Sequence, residues 1–97
     1  MNPIISKMYN NDPFSQWMGI ERLAEAEGYC KLRMVIRPEM CNGFGLCHGG
    51  ITFSFADSCL AFASNSRGKQ AVSIETSISH TTPLLTGESI IAESKEM

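Results

Sequence analysis

Clustered positive charge is missing from this chain. Eight Lys and Arg stand against ten Asp and Glu, a formal net charge of -2, and the basic residues are scattered singly or in loose pairs. Nucleic-acid binding needs a basic patch or stripe to neutralise phosphates, so nucleic acid is excluded as the main partner. Long apolar runs are missing too. No uncharged apolar run reaches the roughly 20 residues that span a bilayer, and the N-terminus lacks the basic-then-apolar order of a secretory signal. These absences predict a cytoplasmic protein with no membrane partner. The four cysteines, Cys30, Cys41, Cys47 and Cys59, show neither the regular spacing of a disulfide framework nor a C-x-x-C pair. They are expected as reduced thiols used as small hydrophobes, and no metal site is expected from Cys41, Cys47 and His48. There are no internal repeats or low-complexity tracts.

What is present is ordinary for one soluble domain: 97 residues, 43% hydrophobic and 19% charged, read as a single unit over residues 1–97. A chain this short buries only about 60–65% of its unfolded surface, so association is expected. Asn11-Asp12-Pro13 supplies an N-cap and a first-turn proline for a short helix from Pro13 to about Met18, ended by Gly19. A strand is expected over Ile20–Leu23 and a polar turn over Ala24–Gly28. The cleanest alternation follows, with Cys30, Leu32, Met34 and Ile36 on one face and Tyr29, Lys31, Arg33, Val35 and Arg37 on the other, a half-buried strand. Pro38 stops it. A glycine-rich loop, Asn42 to Gly50, then leads into a long helix that ends near Asn65–Gly68. Val72, Ile74, Thr76 and Ile78 alternate with Ser73, Glu75, Ser77 and Ser79 in a further strand, and after Pro83 and a turn at Gly87 another begins at Ser89. The order predicts an α+β fold, a mostly antiparallel sheet with helices on one face.

The long helix is apolar on nearly every side. Phe53, Phe55, Ala56, Cys59, Leu60, Ala61, Phe62 and Ala63 are separated only by small hydroxyls and one acid, Asp57. A helix apolar all round is expected to be buried. An ionised carboxylate there costs on the order of 3 kcal/mol or more unless paired or neutralised, so Asp57 requires either a hydrogen-bonded structural role or chemistry.

Arg37-Pro38-Glu39-Met40-Cys41-Asn42-Gly43, then Cys47-His48-Gly49-Gly50, then Phe53, Ala56-Asp57 and Ala61-Phe62-Ala63 together resemble the hotdog-fold acyl-CoA thioesterases of the phenylacetate-degradation (PaaI) type. The resemblance continues through Ala71-Val72-Ser73-Ile74 to Pro83 and Gly87-Glu88, and so covers most of the chain from about Pro13. It implies a hotdog fold, an antiparallel sheet wrapped around the long central helix. Two departures stand out. Phe44 occupies a place where relatives often carry histidine, and the family pattern continues with two further strands beyond Met97, so the domain is expected to be C-terminally short.

The resemblance implies hydrolysis of an acyl-CoA thioester, (hydroxy)phenylacetyl-CoA or a similarly compact acyl group, with CoA entering as substrate and no resident cofactor. The helix N-terminus offers free N–H groups and partial positive charge, which makes Gly49 the candidate oxyanion donor, with Gly50 beside it in substrate binding. Asp57 is the candidate nucleophile or general base. Asn42 is expected to orient the thioester or water, His48 to fix the loop or contact the acyl carbonyl, and Ser73 to bind water or substrate. Arg67 or Lys69 could meet CoA phosphates. Asp57 lies eight residues beyond Gly49, about 12 Å along a helix, whereas reacting groups converge within about 3–3.5 Å. A two-fold dimer with antiparallel central helices, or a dimer of such dimers, would bring one chain's acid to the other's amides. Two other functions fit less of the pattern: a hotdog hydratase or dehydratase, and a non-catalytic acyl-CoA binder.

Overall fold

The computed structural model describes residues 1–68, 74–79 and 84–97; the expectations placed on Lys69, Ala71, Val72, Ser73 and Pro83 lie outside them. Two short helices come first, α1 over Pro3–Asn10 and α2 over Pro13–Trp17. Both start on the same device, a polar cap followed by proline. Asn2 Oδ1 accepts from the N–H groups of Ile4 (2.9 Å) and Ile5 (3.1 Å), and Asp12 Oδ1 accepts from Ser15 N–H at 3.1 Å; each satisfies amides that have no intrahelical partner. The second helix was expected and the first was not.

Strands β1 (Glu21–Ala26) and β2 (Tyr29–Val35) form a hairpin closed by Glu27-Gly28. Gly28 takes φ +73°, and a Cβ there would come within 2.5 Å of Glu96 Oε2, so the turn requires glycine. The expectation of a strand ending at Leu23 and a turn from Ala24 is corrected: the pairing runs on to Ala26, opposite Tyr29. The register shifts between Arg22 and Ala24, which leaves Leu23 as an extra residue. This bulge interrupts the two-residue period by which a strand is recognised.

The long helix, α3, spans Gly49–Asn65, and β3 (Ile74–Ser79) and β4 (Ser89–Glu96) complete the sheet, whose order is β1-β2-β4-β3 with every neighbouring pair antiparallel. α3 lies across β2, β4 and β3. The core forms where the buried face of β2 (Cys30, Leu32, Met34) and that of β4 (Ile90, Ala92) meet Phe55, Cys59, Phe62 and Ala63 of α3, with Ile5 and Met18 closing one end. The alternation read from β2 is therefore borne out in full. Asn2 Nδ2 donates to the Ser66 carbonyl at 3.1 Å, which fastens α1 to the far end of α3. Among the described residues no helix is long and apolar enough to cross a membrane.

One expectation fails within the protomer. α3 is covered on one side only: Phe55, Ser58, Cys59, Phe62 and Ala63 are buried, while Gly50, Phe53, Asp57 and Leu60 are exposed. Spacings of three and four residues put these last four in one stripe along the helix. Three strands pack against a single face of this helix, so an all-round apolar sequence leaves an apolar surface with Asp57 in its middle.

Candidate active site

The approach to α3 is a small hairpin. Asn42 N–H donates to the Leu46 carbonyl at 2.8 Å, and His48 N–H donates to the Met40 carbonyl at 2.9 Å. Asn42 also folds its side chain over the loop, with Oδ1 accepting from Phe44 N–H (2.9 Å) and Leu46 N–H (3.2 Å). Its carbonyl accepts from Gly45 N–H at 3.0 Å, where Gly45 holds φ +78°. The oxygen of Asn42 thus shapes the loop, which leaves its amide nitrogen as the group that could face a ligand. Phe44 is 89% exposed at the loop tip.

His48 caps α3 with an extended backbone (φ -61°, ψ 137°) and no side-chain cap bond. It holds the loop through its main chain, and its exposed imidazole makes no hydrogen bond to the described residues. Gly49 and Gly50 follow, both exposed, and a Cβ on either would meet nothing within 4 Å. Among the described residues neither glycine N–H has an acceptor, so the positive end of α3 faces open space.

Asp57 points outward two turns further on. It forms one wall of a cleft of about 140 Å³ with Phe53, Ala56, Leu60 and Thr76. Thr76 comes from β3, where it pairs with Ser94 of β4, and the two hydroxyls lie 2.5 Å apart. Sequence reasoning did not place Thr76 beside the acid. The available signal was a hydroxyl on the apolar face of an otherwise alternating strand. The next residue, Ser58, is buried on the other side of the helix, and its Oγ lies 2.8 Å from the fully buried Ser15 Oγ; that hydroxyl in turn meets Asp12 Oδ2 at 2.6 Å.

The structure therefore places His48, Gly49 and Gly50 at the start of α3, keeps Asn42 in the hairpin ahead of it opposite Leu46, holds Asp57 two turns further along the same helix, and leaves Ser73 outside the described residues. The basic candidates are mostly engaged elsewhere. Arg67 pairs with Glu96 (2.9 Å) and Glu27 (3.6 Å), Arg33 with Glu21 (2.5 Å), and Arg37 with Glu39 (3.5 Å) while lying over the Trp17 ring. Among the described residues there is no group of three His, Cys, Asp or Glu side chains placed to hold a metal.

A sheet of antiparallel strands cradling one long helix, with a glycine-lined helix start and an acid further along, defines a hotdog-type domain. The model of the Thioesterase superfamily matches residues 44–96, and the chain belongs to that family as a hotdog-fold member of the PaaI type. It is 36% identical over 85 residues to acyl-coenzyme A thioesterase PaaI of Escherichia coli, covering 88% of this chain and 61% of that protein. It is 44% identical over 90 residues to a provisionally named esterase of Archaeoglobus fulgidus, covering 93% and 58%. The chain thus spans about three fifths of the length of these curated relatives. The solved structure of the E. coli PaaI protein, from the phenylacetic acid degradation operon, superimposes with a TM-score of 0.72 at 25% identity, covering 97% of this chain and 91% of that one.

Proposed function

We propose that this protein hydrolyses acyl-CoA thioesters in the cytoplasm, acting on a compact acyl group such as an arylacetyl. The observation that carries the reading is the outward stripe of α3, where an acid stands in an apolar cleft in line with unclaimed helix-start amides. Asp57 either attacks the thioester carbonyl, forming an acyl–aspartyl anhydride that water then cleaves to free acid and carboxylate, or takes a proton from the water that attacks and passes it to the departing sulfur. The Gly49 N–H receives the charge that builds on the carbonyl oxygen, and CoA leaves as its thiol. Neither route requires a resident cofactor or metal. Within one chain the two groups sit about 12 Å apart along the helix, so the reading includes a two-fold pairing of antiparallel α3 helices that brings Asp57 of one protomer to Gly49 of the other. The aryl preference rests on the likeness to PaaI; the amide nitrogen of Asn42 and the His48 ring are the groups left to orient the acyl end.

The test is thiol release from a panel of acyl-CoAs by wild type and Asp57→Ala. Removing the acid is expected to lower kcat by roughly 10²–10⁴-fold while the variant keeps its helical signal and the mass of the wild-type assembly. Undiminished turnover in the variant removes Asp57 from the chemistry. Silence of the wild type in this assay together with a change in enoyl-CoA absorbance would make the protein a hydratase instead.

A further inference from the structure

The hairpin ahead of α3 contains a pair of thiols that hydrolysis does not use. Cys41 and Cys47 are opposed in an isolated antiparallel bridge. The rungs on either side are the Asn42 N–H to Leu46 carbonyl bond and the His48 N–H to Met40 carbonyl bond, so the cysteines themselves occupy the non-hydrogen-bonded position between them. At such a position the Cα atoms lie about 4.5 Å apart and both side chains leave on the same face. That separation falls inside the roughly 4.4–6.8 Å window in which a disulfide can close.

Access separates this pair from the other cysteines. Cys41 and Cys47 are half-buried, whereas Cys30 and Cys59 are fully buried. The Cys41 sulfur lies 3.4 Å from Thr86 Oγ1 and 3.6 Å from the Arg37 carbonyl, and the Cys47 sulfur 3.5 Å from the His48 carbonyl, so both have soft polar contacts that a bond between them can replace. Burial pushes the Cys47 thiol up from its ordinary value, and negative charge on Cys41 pushes it further, which disfavours its thiolate and assigns Cys47 to the second, resolving step and not to the first attack.

We propose that Cys41 and Cys47 form a modification site, a dithiol that peroxide converts reversibly into a disulfide across the loop. A thiolate of the pair attacks one peroxide oxygen, the O–O bond breaks, and a sulfenic acid and water result. The second sulfur attacks the sulfenic sulfur, the S–S bond forms, and the oxygen leaves as a second water. In total two thiols are oxidised by two electrons and one hydrogen peroxide is reduced to two waters. Opposed Cβ atoms start about 4.5–5.5 Å apart and finish near 3.8 Å, so closure tightens the rung that ends at His48, next to Gly49.

The proposal is independent of the hydrolase reading and is tested without an activity assay. The full chain is treated briefly with hydrogen peroxide under native conditions, unfolded, alkylated and fragmented for mass mapping. Alkylatable thiols are expected to fall from four to two, the survivors mapping to Cys30 and Cys59, and to return to four after dithiothreitol. In Cys47→Ser the same treatment is expected to leave Cys41 as a trappable sulfenic acid with no internal link. Four free thiols after treatment, a link that maps to Cys30–Cys59 or between two copies, or conversion of Cys41 and Cys47 to sulfinic acids would each overturn it.

Discussion

Ser15 and Ser58 are small residues with a large share in fixing the acid's neighbourhood. Ser15 is fully buried, with its hydroxyl between Asp12 Oδ2 at 2.6 Å and Ser58 Oγ at 2.8 Å. A chain of hydrogen bonds therefore runs from the cap of α2 to the residue next to Asp57. Removing one partner from a buried pair leaves the other unsatisfied, at about 1–3 kcal/mol, while removing both together is far milder. Ser15→Ala is thus expected to destabilise the fold by that amount. Ser58→Ala should cost less, since Ser15 keeps Asp12. The double variant should cost less than the sum of the two, with a coupling of at least about 0.5 kcal/mol. Urea unfolding of the four proteins measures this, and strict additivity would mean that the two hydroxyls do not act as a pair.

At the level of elements, α1 is joined to β1 by a buried charge. Glu25, with its side chain 1% exposed, accepts from Arg22 Nη2 and from Asn2 N–H, both at 2.8 Å, and also from Arg22 Nε. Burial pushes its carboxyl up, but the hydrogen bonds from Arg22 and the Asn2 N–H outweigh that and hold it below the ordinary 4.5. A depressed folded pKa contributes stability that is present above the ordinary value and is lost as pH falls through the folded one. Glu25→Gln is therefore expected to be less stable than wild type at neutral pH, by roughly 1–3 kcal/mol. The gap should shrink as the medium is acidified below pH 4.5. Urea midpoints measured along that acid series check it, and a gap independent of pH would remove the linkage.

The same elements mark what sequence reading reaches. β2 was legible because both its faces obey the two-residue period and one of them is core. α2 was legible from Asp12-Pro13, and Asn2-Pro3 carries the same signal for α1, but its apolar face is short and its one fully buried side chain is Ile5. β1 was cut short because the bulge at Leu23 breaks the period where it is needed. The loop Asn42–Gly50 was legible as a motif, since asparagine, glycines and a helix start are local features. That Asp57 faces outward was not, because periodicity cannot distinguish a helix wrapped by its own sheet from one that leaves a side bare. Thr76 escaped for a similar reason: its place beside Asp57 is set by how β3 lies against α3, a contact between distant parts of the chain.

For the whole molecule, the bare side of α3 is the decisive feature. Phe53 is 75% exposed and Leu60 38% exposed, one on either side of Asp57 along the helix. Burying an aromatic of this kind stabilises an interface by roughly 1.5–3 kcal/mol per side chain. A two-fold axis through the stripe would bury both copies of Phe53 at once. Phe53→Asp is therefore expected to halve the mass of the assembling unit with the helical signal retained, and to abolish turnover. Shared sites make a sharper demand on mixed chains. Gly49→Pro removes the proposed donor and keeps the helix, because Gly49 is the first helical residue and His48 already has the extended ψ of 137° that a following proline needs. Asp57→Ala removes the acid and keeps the donor. Either variant alone has no complete site, but a mixed dimer has one, so random re-pairing of equal amounts should restore about a quarter of wild-type turnover. Mixing the two inactive proteins after dissociation and following thiol release measures it. No recovery, in mixtures that mass measurement shows to contain mixed dimers, would mean that acid and amide do not meet across the two-fold axis.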